Sequence, residues 1–282
     1  MKCKAFCSRL KNKFFKVNFC YKLCYKKAQM KLFIFLAIFI VLIPIGVCSS
    51  EKKTLQAGIA REDYPPFYFK KNSDGQLTGF SIELCNLLAK KLNYNIEYKR
   101  FPFARVLHYL YRGKLDLSCT MFNTSERSKG IIFTSVPHAF EKIYAISTSK
   151  TILKNDFKKI KHKNIQLAGI RGYYYGDFIK GLNLHLVANE KQLLKTLISK
   201  RADIIFSNKK TILAISKKLG NSQKLFFSQR PVYNGPNYLG FSRKTEHSKS
   251  LASQFTKELV KLSKTEAYKK LLEKYHLNPP QY

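Results

Sequence analysis

The feature that most constrains the fold is a helix–turn–strand unit that the chain repeats. The pattern L-x2-L-x5-D occurs at residues 107–116 and again at residues 194–203. In each copy, leucines at helical spacing precede a turn, an aspartate and an apolar strand. Two units of the same order predict two related α/β lobes, each with its own sheet, and not one continuous sheet.

The aspartates that end these patterns, Asp116 and Asp203, are the first candidates for catalytic carboxylates. Each follows a helix-ending turn and stands at the start of a strand. Because short polar side chains in such positions bond neighbouring backbone groups, we expect a structural role for both.

Strands and helices alternate through most of the chain. A strand at residues 54–60 precedes a helix at 80–92, and a strand at 94–99 precedes the first repeated unit. Further strands are predicted at residues 143–146 and 238–241. This alternation predicts a mostly parallel sheet covered by helices. We expect lobe 1 at residues 51–142 and 228–282 and lobe 2 at residues 143–227. The two chain crossings would then form a hinge beside an interlobe cleft, which is a preferred place for a ligand.

The charge of the chain raises nucleic acid or an anionic membrane as partners. The formal net charge is +35, and ten of the 52 Lys and Arg residues lie before residue 50. Beyond it, 52 − 10 = 42 basic residues face 17 acidic ones, a net charge of +25. The basic residues are dispersed and accompany no nucleic-acid-binding module. We therefore expect a solvated lysine-rich surface and no nucleic-acid partner.

The amino terminus carries an apolar run of 16 residues, from Leu32 to Val47, preceded by basic residues. A membrane span needs about 20 apolar residues, so the run favours a signal peptide. We expect cleavage after Ser49 and export to the periplasm, so that residues 1–49 are an extension plus signal peptide. Translation could start at Met1 or at Met30. The alternative is an uncleaved anchor with a basic cytoplasmic tail.

Seven cysteines divide between this segment and the rest of the chain. Four of them repeat a C-x3-C spacing at residues 3–24, without a histidine among them, in the part that we expect to be removed. Cys85, on a predicted helix, and Cys119, on a predicted strand, remain after cleavage. In an oxidising compartment they could form a disulfide, or they could stay two buried thiols.

A polar loop follows the strand of the first repeated unit. Asn123, Thr124 and Arg127 bring amide, hydroxyl and guanidinium groups within a few residues of each other. A guanidinium fork suits a carboxylate because it can donate two parallel hydrogen bonds. Alternatively, Arg127 caps a helix or makes a surface ion pair.

Several ordered motifs resemble one family of binding proteins. They are Tyr64-Pro65-Pro66-Phe67, Gly75-x-Leu77-x-Gly79-Phe80, Arg105-x7-Gly113-x2-Asp116, Thr124-x2-Arg127, Phe133-Thr134-Ser135-x-Pro137 and Ala267-Tyr268-x6-Tyr275. Together they resemble bacterial extracellular solute-binding proteins of family 3, the polar amino-acid receptors of ABC importers. The resemblance covers about residues 54–276. The resemblance implies an α/β, two-lobed periplasmic-binding-protein fold with a hinge and an interlobe cleft.

The resemblance also implies ligand contacts at specific positions. Tyr64 and Phe103 would be aromatic walls, and Arg127 would pair with the ligand α-carboxylate. Further ligand-binding positions are Thr120 and Thr124 in the first lobe and Gly172, Tyr173 and Tyr174 in the second. The last three would lie at a helix amino terminus, where backbone N–H groups and the helix dipole favour an anion.

Asn208 departs from the family pattern. Members of the family that bind amino acids place an acidic residue at the corresponding position, after a strand of the second lobe, to hold the ligand ammonium group. An amide oxygen can accept a hydrogen bond there but carries no full charge. Asn208 is therefore a candidate ligand contact that leaves room for a small carboxylate other than an α-amino acid.

We expect periplasmic binding of a small polar, carboxylate-bearing solute, an amino acid in the first instance, for ABC-type import. The expected partners are this solute and an inner-membrane ABC permease, with the protein itself a monomer. No metal-spaced cluster, nucleophile elbow or phosphate loop occurs in the sequence, so we expect no cofactor, no metal and no catalysis. The alternatives are an enzyme on the same fold, similar to cyclohexadienyl dehydratases, and a ligand sensor without a transport role.

Overall fold

The computed structural model describes residues 52–71, 75–154 and 164–280. Its first part contains β1 (Lys53–Ala60), β2 (Phe69–Lys70), β3 (Leu77–Thr78), α1 (Phe80–Lys91), β4 (Tyr94–Phe101), α2 (Phe103–Tyr111), β5 (Leu117–Phe122), α3 (Ser125–Ser128) and β6 (Ile131–Phe133). Its second part contains β7 (Ala139–Ser147), β8 (Leu167–Ile170), β9 (Leu184–Val187), α4 (Glu190–Ile198), β10 (Ile204–Asn208), α5 (Lys209–Lys218) and β11 (Phe226–Phe227). The chain then continues through β12 (Tyr233–Ser242), α6 (Ser248–Ser263) and α7 (Glu266–Lys274).

The strands form one hydrogen-bonded path in the order β4-β1-β5-β12-β7-β10-β8-β9. Parallel pairs lie at both ends of this path, whereas β12 and β7 pair antiparallel in its middle. The first half of β12 pairs with β7, and its second half pairs with β5 and β6. The expectation of two separate sheets is therefore wrong, because two long crossing strands join the ladders.

Buried apolar side chains nevertheless form distinct clusters at the two ends of this path. One cluster joins β1, β5, α1, α2, α6 and α7, and includes the fully buried Val106 and Phe255. Another joins β8, β10, α4 and α5, and includes Leu193 and Ile212. Each end of the ladder thus has its own core, as the repeated sequence unit predicts.

The two aspartates of the repeated unit have equivalent structural roles. The Gln56 backbone N–H donates to Asp116 Oδ2 at 2.7 Å, and the Gln166 N–H donates to Asp203 Oδ2 at 2.8 Å. Each carboxylate accepts from the neighbouring parallel strand where its own strand begins. The prediction that they bond backbone groups is confirmed.

Cys85 and Cys119 form a disulfide between α1 and β5, with their Cα atoms 6.1 Å apart. Both side chains are buried. Cys119 lies within β5, whose carboxyl half also carries Thr120 and Phe122. The disulfide therefore links this strand covalently to helix α1 of the first core.

Two strands extend further than the sequence predicts. The sequence places a strand at residues 143–146, but β7 begins at Ala139, and the carboxylate residue Glu141 faces the buried side. Similarly, β12 begins at Tyr233 and continues through Pro236, where the sequence predicts a strand only at residues 238–241. These additional residues are the ones that pair with each other, with Gly235 opposite Glu141.

Among the described residues, no helix is both long and apolar enough to cross a bilayer. The apolar run at residues 32–47, the expected cleavage after Ser49 and the cysteines at residues 3–24 lie outside the described residues.

Candidate functional site

A small cavity of about 40 Å³ lies where the crossing strands meet the carboxyl end of β5. Its lining residues come from both ends of the sheet: Tyr64, Tyr68, Phe103, Thr120, Met121, Phe122, Arg127, Glu141, Ile143, Tyr173, Tyr174 and Asn237. The lining is largely aromatic, with one cation and one carboxyl group. We refer to this space as the central cavity.

Six of the nine residues predicted as ligand contacts line the central cavity: Tyr64, Phe103, Thr120, Arg127, Tyr173 and Tyr174. Thr124, Gly172 and Asn208 do not. These three lie directly behind lining residues and contact them.

The aromatic wall is a set of mutually packed rings. The Tyr173 ring meets the Phe103 ring edge-on at 5.0 Å and the Tyr64 ring edge-on at 6.1 Å, measured between centroids. Tyr64 also stacks against Tyr68 at 5.7 Å. Because Tyr64 follows β1, Phe103 begins α2 and Tyr173 follows β8, rings from both ends of the ladder close the cavity. Such rings offer flat apolar contact together with polar edges.

Arg127 is the cation of the central cavity, and its side chain is only 5 % exposed. Its guanidinium group donates to the Phe122 carbonyl and to the Gly172 carbonyl, both at 2.8 Å, and lies 5.4 Å from the centre of the Phe103 ring. Burial lowers the Arg127 pKa to about 10, so the group stays charged at neutral pH. None of the ion pairs among the described residues includes Arg127. Since a guanidinium has five N–H donors, it can still donate to a bound anion.

Thr124 and Gly172 support Arg127 from behind. Thr124 caps the short helix α3, because its hydroxyl accepts from the Arg127 backbone N–H at 3.2 Å. The polar loop predicted at residues 123–127 is thus partly helical. Gly172, whose φ is +86°, occupies a turn and presents its carbonyl, not its N–H, to Arg127. The expectation of a helix amino terminus at residues 172–174 is wrong, because the 3₁₀ helix that follows begins only at Asp177.

Glu141 is a cavity residue that the sequence reading missed. Its side chain is 4 % exposed and accepts three hydrogen bonds. Tyr64 Oη donates to Oε1 at 2.6 Å, Asn208 Nδ2 donates to the same oxygen at 3.4 Å, and Asn237 Nδ2 donates to Oε2 at 2.9 Å. Burial raises the pKa of Glu141, and these three donors oppose that effect.

A signal for Glu141 was present in the sequence. Residues 139, 141, 143 and 145 alternate with their neighbours and are all buried in β7. A carboxylate on the buried face of a strand is costly, so it indicates a functional or paired group. The sequence prediction misses this carboxylate because the predicted strand begins only at residue 143, after Glu141.

Asn208 ends β10 and caps α5, with Oδ1 accepting from the backbone N–H groups of Lys210 and Thr211. Its amide nitrogen faces Glu141. The position that departs from the family pattern therefore lies beside a buried acid on the adjacent strand.

A second buried acid, Glu190, lies at the first turn of α4 and accepts a hydrogen bond from Tyr173 Oη. Burial raises its pKa to about 7. Glu190 lines a neighbouring cavity of about 110 Å³ whose walls include Phe103 and Tyr173. The two cavities share Phe103 and Tyr173 as walls, and the Tyr173 hydroxyl links Glu190 to the central cavity.

Comparison with known proteins defines the class. The described fold joins two α/β cores through crossing strands with a cavity between them, which is the architecture of a two-lobed solute-binding protein. The sequence profile of "Bacterial extracellular solute-binding proteins, family 3" matches residues 58–278. The chain belongs to this family and is therefore an exported solute-binding protein.

Two curated relatives illustrate the similarity. "Probable amino-acid-binding protein YxeM" of Bacillus subtilis (strain 168) is 28% identical over 236 residues, covering 80% of this chain and 84% of the relative. "Arginine-binding periplasmic protein" of Mannheimia haemolytica is 23% identical over 220 residues, covering 77% of this chain and 89% of the relative.

Solved structures share the fold. A histidine kinase sensor domain with similarity to periplasmic binding proteins superimposes with a TM-score of 0.69 at 18% identity, over 82% of this chain and all of that one. An ancestral arginine-binding protein bound to arginine gives a TM-score of 0.66 at 24% identity, over 80% of this chain and 99% of that one. The predicted two-lobed periplasmic-binding-protein fold is confirmed.

Proposed function

We propose that the protein binds a small α-amino acid in the central cavity and delivers it to an ABC permease. The observation that carries this proposal is Arg127, a buried guanidinium without an acidic partner among the described residues, set in an aromatic cavity. A buried cation with free donors is costly unless an anion arrives, and a planar carboxylate matches its fork. The curated relatives are named for amino-acid binding, which supports the same class of solute.

The central cavity binds its ligand by opening and closing. At about 40 Å³, this space is far smaller than the roughly 300–1,000 Å³ of a typical ligand pocket, so it does not hold an amino acid in this conformation. Entry of the ligand therefore requires the two lobes to separate, which happens by bending of β7 and β12. Lobe 1 comprises residues 51–142 and 228–282, and lobe 2 comprises residues 143–227. The ligand then stacks on Tyr64 and Phe103, with Thr120 at its edge, and reaches Tyr173 and Tyr174 on the second lobe.

The cellular setting follows from the same proposal. The chain is exported with a cleavable signal peptide, and the mature monomer begins near Ser50 in the periplasm. The protein acts by binding the amino acid and releasing it to an inner-membrane permease, and not by catalysis. Mass spectrometry of the amino terminus of the envelope protein tests this setting. Recovery of Met1 or Met30 on the stable protein would contradict it.

A thermal-shift screen against amino acids, polyamines and small organic acids tests the ligand class. We expect at least one amino acid to raise the melting temperature. Arg127→Ala should weaken its binding tenfold to a thousandfold, because loss of one partner of a desolvated charge pair costs a few kcal/mol. Arg127→Lys should recover only part of the affinity, since lysine lacks the planar fork.

Arg105→Ala provides the matched control. Arg105 lies on α2 but its side chain is exposed, so this change removes one positive charge without touching the central cavity. We expect wild-type affinity for it. A hit whose stabilisation survives Arg127→Ala unchanged would overturn the carboxylate contact.

A second candidate function is catalysis on the same fold. The buried carboxyl groups of Glu141 and Glu190, with their raised pKa values, have the property that a general acid needs. Incubation of the protein with cyclohexadienyl acids, followed by ultraviolet detection of an aromatic product, distinguishes the two functions. Turnover that is lost in Glu141→Gln would favour the enzyme.

A further inference from the structure

We propose that Glu141, on the crossing strand β7, accepts the ammonium group of the ligand and thereby makes the site selective for amino acids over simple carboxylic acids. This inference rests on the proposed function, because it concerns the same ligand in the same cavity. It assigns the ammonium contact to a position other than Asn208, where the family pattern would place the acid.

The first observation is that one oxygen of the Glu141 carboxylate accepts only one hydrogen bond among those found in the described residues. Oε1 accepts from both Tyr64 and Asn208, whereas Oε2 accepts from Asn237. A carboxylate oxygen can accept two hydrogen bonds, so Oε2 has room for one more donor. Since Glu141 lines the central cavity, a bound ligand can supply that donor.

The second observation is charge. All three donors to Glu141 are neutral, and no ion pair among the described residues includes this carboxylate. A buried anion that is held only by neutral donors still pays a desolvation cost. An ammonium group placed against Oε2 would offset this cost more than any neutral donor could.

The third observation is that the cavity contains both signs of charge. Arg127 and Glu141 line the same space, and none of the ion pairs among the described residues joins them. A simple organic acid would satisfy Arg127 alone, and a polyamine would satisfy Glu141 alone. A zwitterion with adjacent carboxylate and ammonium groups satisfies both, which points to an α-amino acid.

Asn208 is unavailable for the ammonium group. Its Oδ1 accepts from the first backbone N–H groups of α5, and its Nδ2 is a donor that faces Glu141. The residue therefore orients Glu141 while it caps a helix. Tyr64 links the two parts of the site, because its ring forms the aromatic wall while its hydroxyl donates to Glu141.

Matched pairs of ligands test this inference. The purified protein is titrated calorimetrically with L-alanine and propionate, L-leucine and 4-methylpentanoate, and L-phenylalanine and 3-phenylpropionate, each acid lacking only the amino group. We expect the wild type to bind at least one amino acid ten times or more tightly than its deaminated partner. Glu141→Gln, which keeps the shape but not the charge, should lose at least tenfold for the amino acid and little for the acid.

Glu141→Asp checks that charge is the cause. It restores the carboxylate on a shorter side chain, so we expect affinity between those of the wild type and Glu141→Gln. Thermal unfolding of both variants verifies that they fold. If Glu141→Gln fails to fold, Glu141→Asp decides: a loss of affinity for the amino acid but not for its deaminated partner supports the ammonium contact, and unchanged affinity for both overturns it.

The outcomes separate the two proposals. If Arg127→Ala abolishes binding but Glu141→Gln keeps wild-type discrimination, the carboxylate site stands and the ammonium contact falls. If the wild type binds the deaminated acids as tightly as the amino acids, the ammonium contact falls as well. If no amino acid in the thermal-shift screen and no member of the three ligand pairs binds, both proposals fall.

Discussion

Replacing Asn208 by aspartate restores the family's usual acid, and from the sequence alone it should preserve or improve the binding of an amino acid. The structure adds a cost to this change. Asn208 Nδ2 lies 3.4 Å from Glu141 Oε1, so the new carboxylate would place a second negative oxygen where a donor now stands. The cap of α5 would survive, because aspartate Oδ1 accepts as asparagine Oδ1 does.

The magnitude follows from the short distance between the two groups. Two unit charges about 4 Å apart repel by about 4 kcal/mol at an effective dielectric constant of 20. At about 1.4 kcal/mol per pKa unit, this equals about three units, so the pair would retain one shared proton near neutral pH. We expect Asn208→Asp to lower the unfolding free energy of the ligand-free protein by about 2–4 kcal/mol at pH 8.

The sign of the pH dependence is definite. The carboxyl pair has a raised pKa in the folded state. Its contribution to the stability of the fold is therefore present at low pH and is lost as the pH rises through that folded-state pKa. The deficit relative to the wild type should therefore nearly vanish at pH 5. An amino acid should stabilise the variant more at pH 8 than at pH 5, since its ammonium group replaces the shared proton.

Urea denaturation followed by circular dichroism at pH 5, 6.5 and 8 measures these differences. Thr265→Asp is the control, because Thr265 is an exposed cap of α7 far along the chain from Glu141. It adds the same charge at a helix amino terminus, with an effect of no more than about 1 kcal/mol. Equal stability of Asn208→Asp and the wild type at pH 8 would refute the reasoning.

Two further predictions concern stability. Removing the disulfide with the double change Cys85→Ala and Cys119→Ala should lower the unfolding free energy by about 4 kcal/mol, since the bond closes a loop of sequence separation 34; an unchanged urea midpoint would contradict this. Glu190 has a folded pKa of about 7 against an ordinary value of 4.5, so its contribution to stability should fall by about 3 kcal/mol between pH 4.5 and 7. Glu190→Gln should abolish this decline, so the unfolding free energy of the variant, measured in urea, should fall less than that of the wild type between pH 4.5 and 7. If the variant and the wild type show the same pH dependence, the result would count against the burial of this carboxyl group.

Local patterns were sufficient to predict most of the elements. Helix α1 was predicted from leucines at helical spacing and ends within one residue of the expected position. Gly113, whose φ is +72°, follows the end of α2 as expected, because glycine adopts that conformation without strain. Both features depend on neighbours in sequence, which a single sequence displays directly.

The crossing strands could not be predicted in the same way. β7 and β12 pair Glu141 with Gly235 and Phe140 with Pro236, so each segment becomes a strand through a partner more than 90 residues away. Proline and glycine weaken the strand pattern of β12 locally, and tertiary pairing overrides that preference.

The residues of the candidate site show the same difference between features set by sequence neighbours and features set by distant strand pairing. Arg127 was found because a short motif surrounds it and the end of a buried strand precedes it. Glu141 was missed because its burial depends on β12. Its neighbour Asn208 drew attention as a missing acid, although the acid lies on the adjacent strand.

A crystal structure of the protein with the best-binding amino acid from the thermal-shift screen tests the central claim most directly. We predict the ligand in the central cavity, with its carboxylate within hydrogen-bond distance of the Arg127 guanidinium and its ammonium group within hydrogen-bond distance of Glu141 Oε2. A ligand bound elsewhere, or one whose carboxylate does not contact Arg127, would contradict the account.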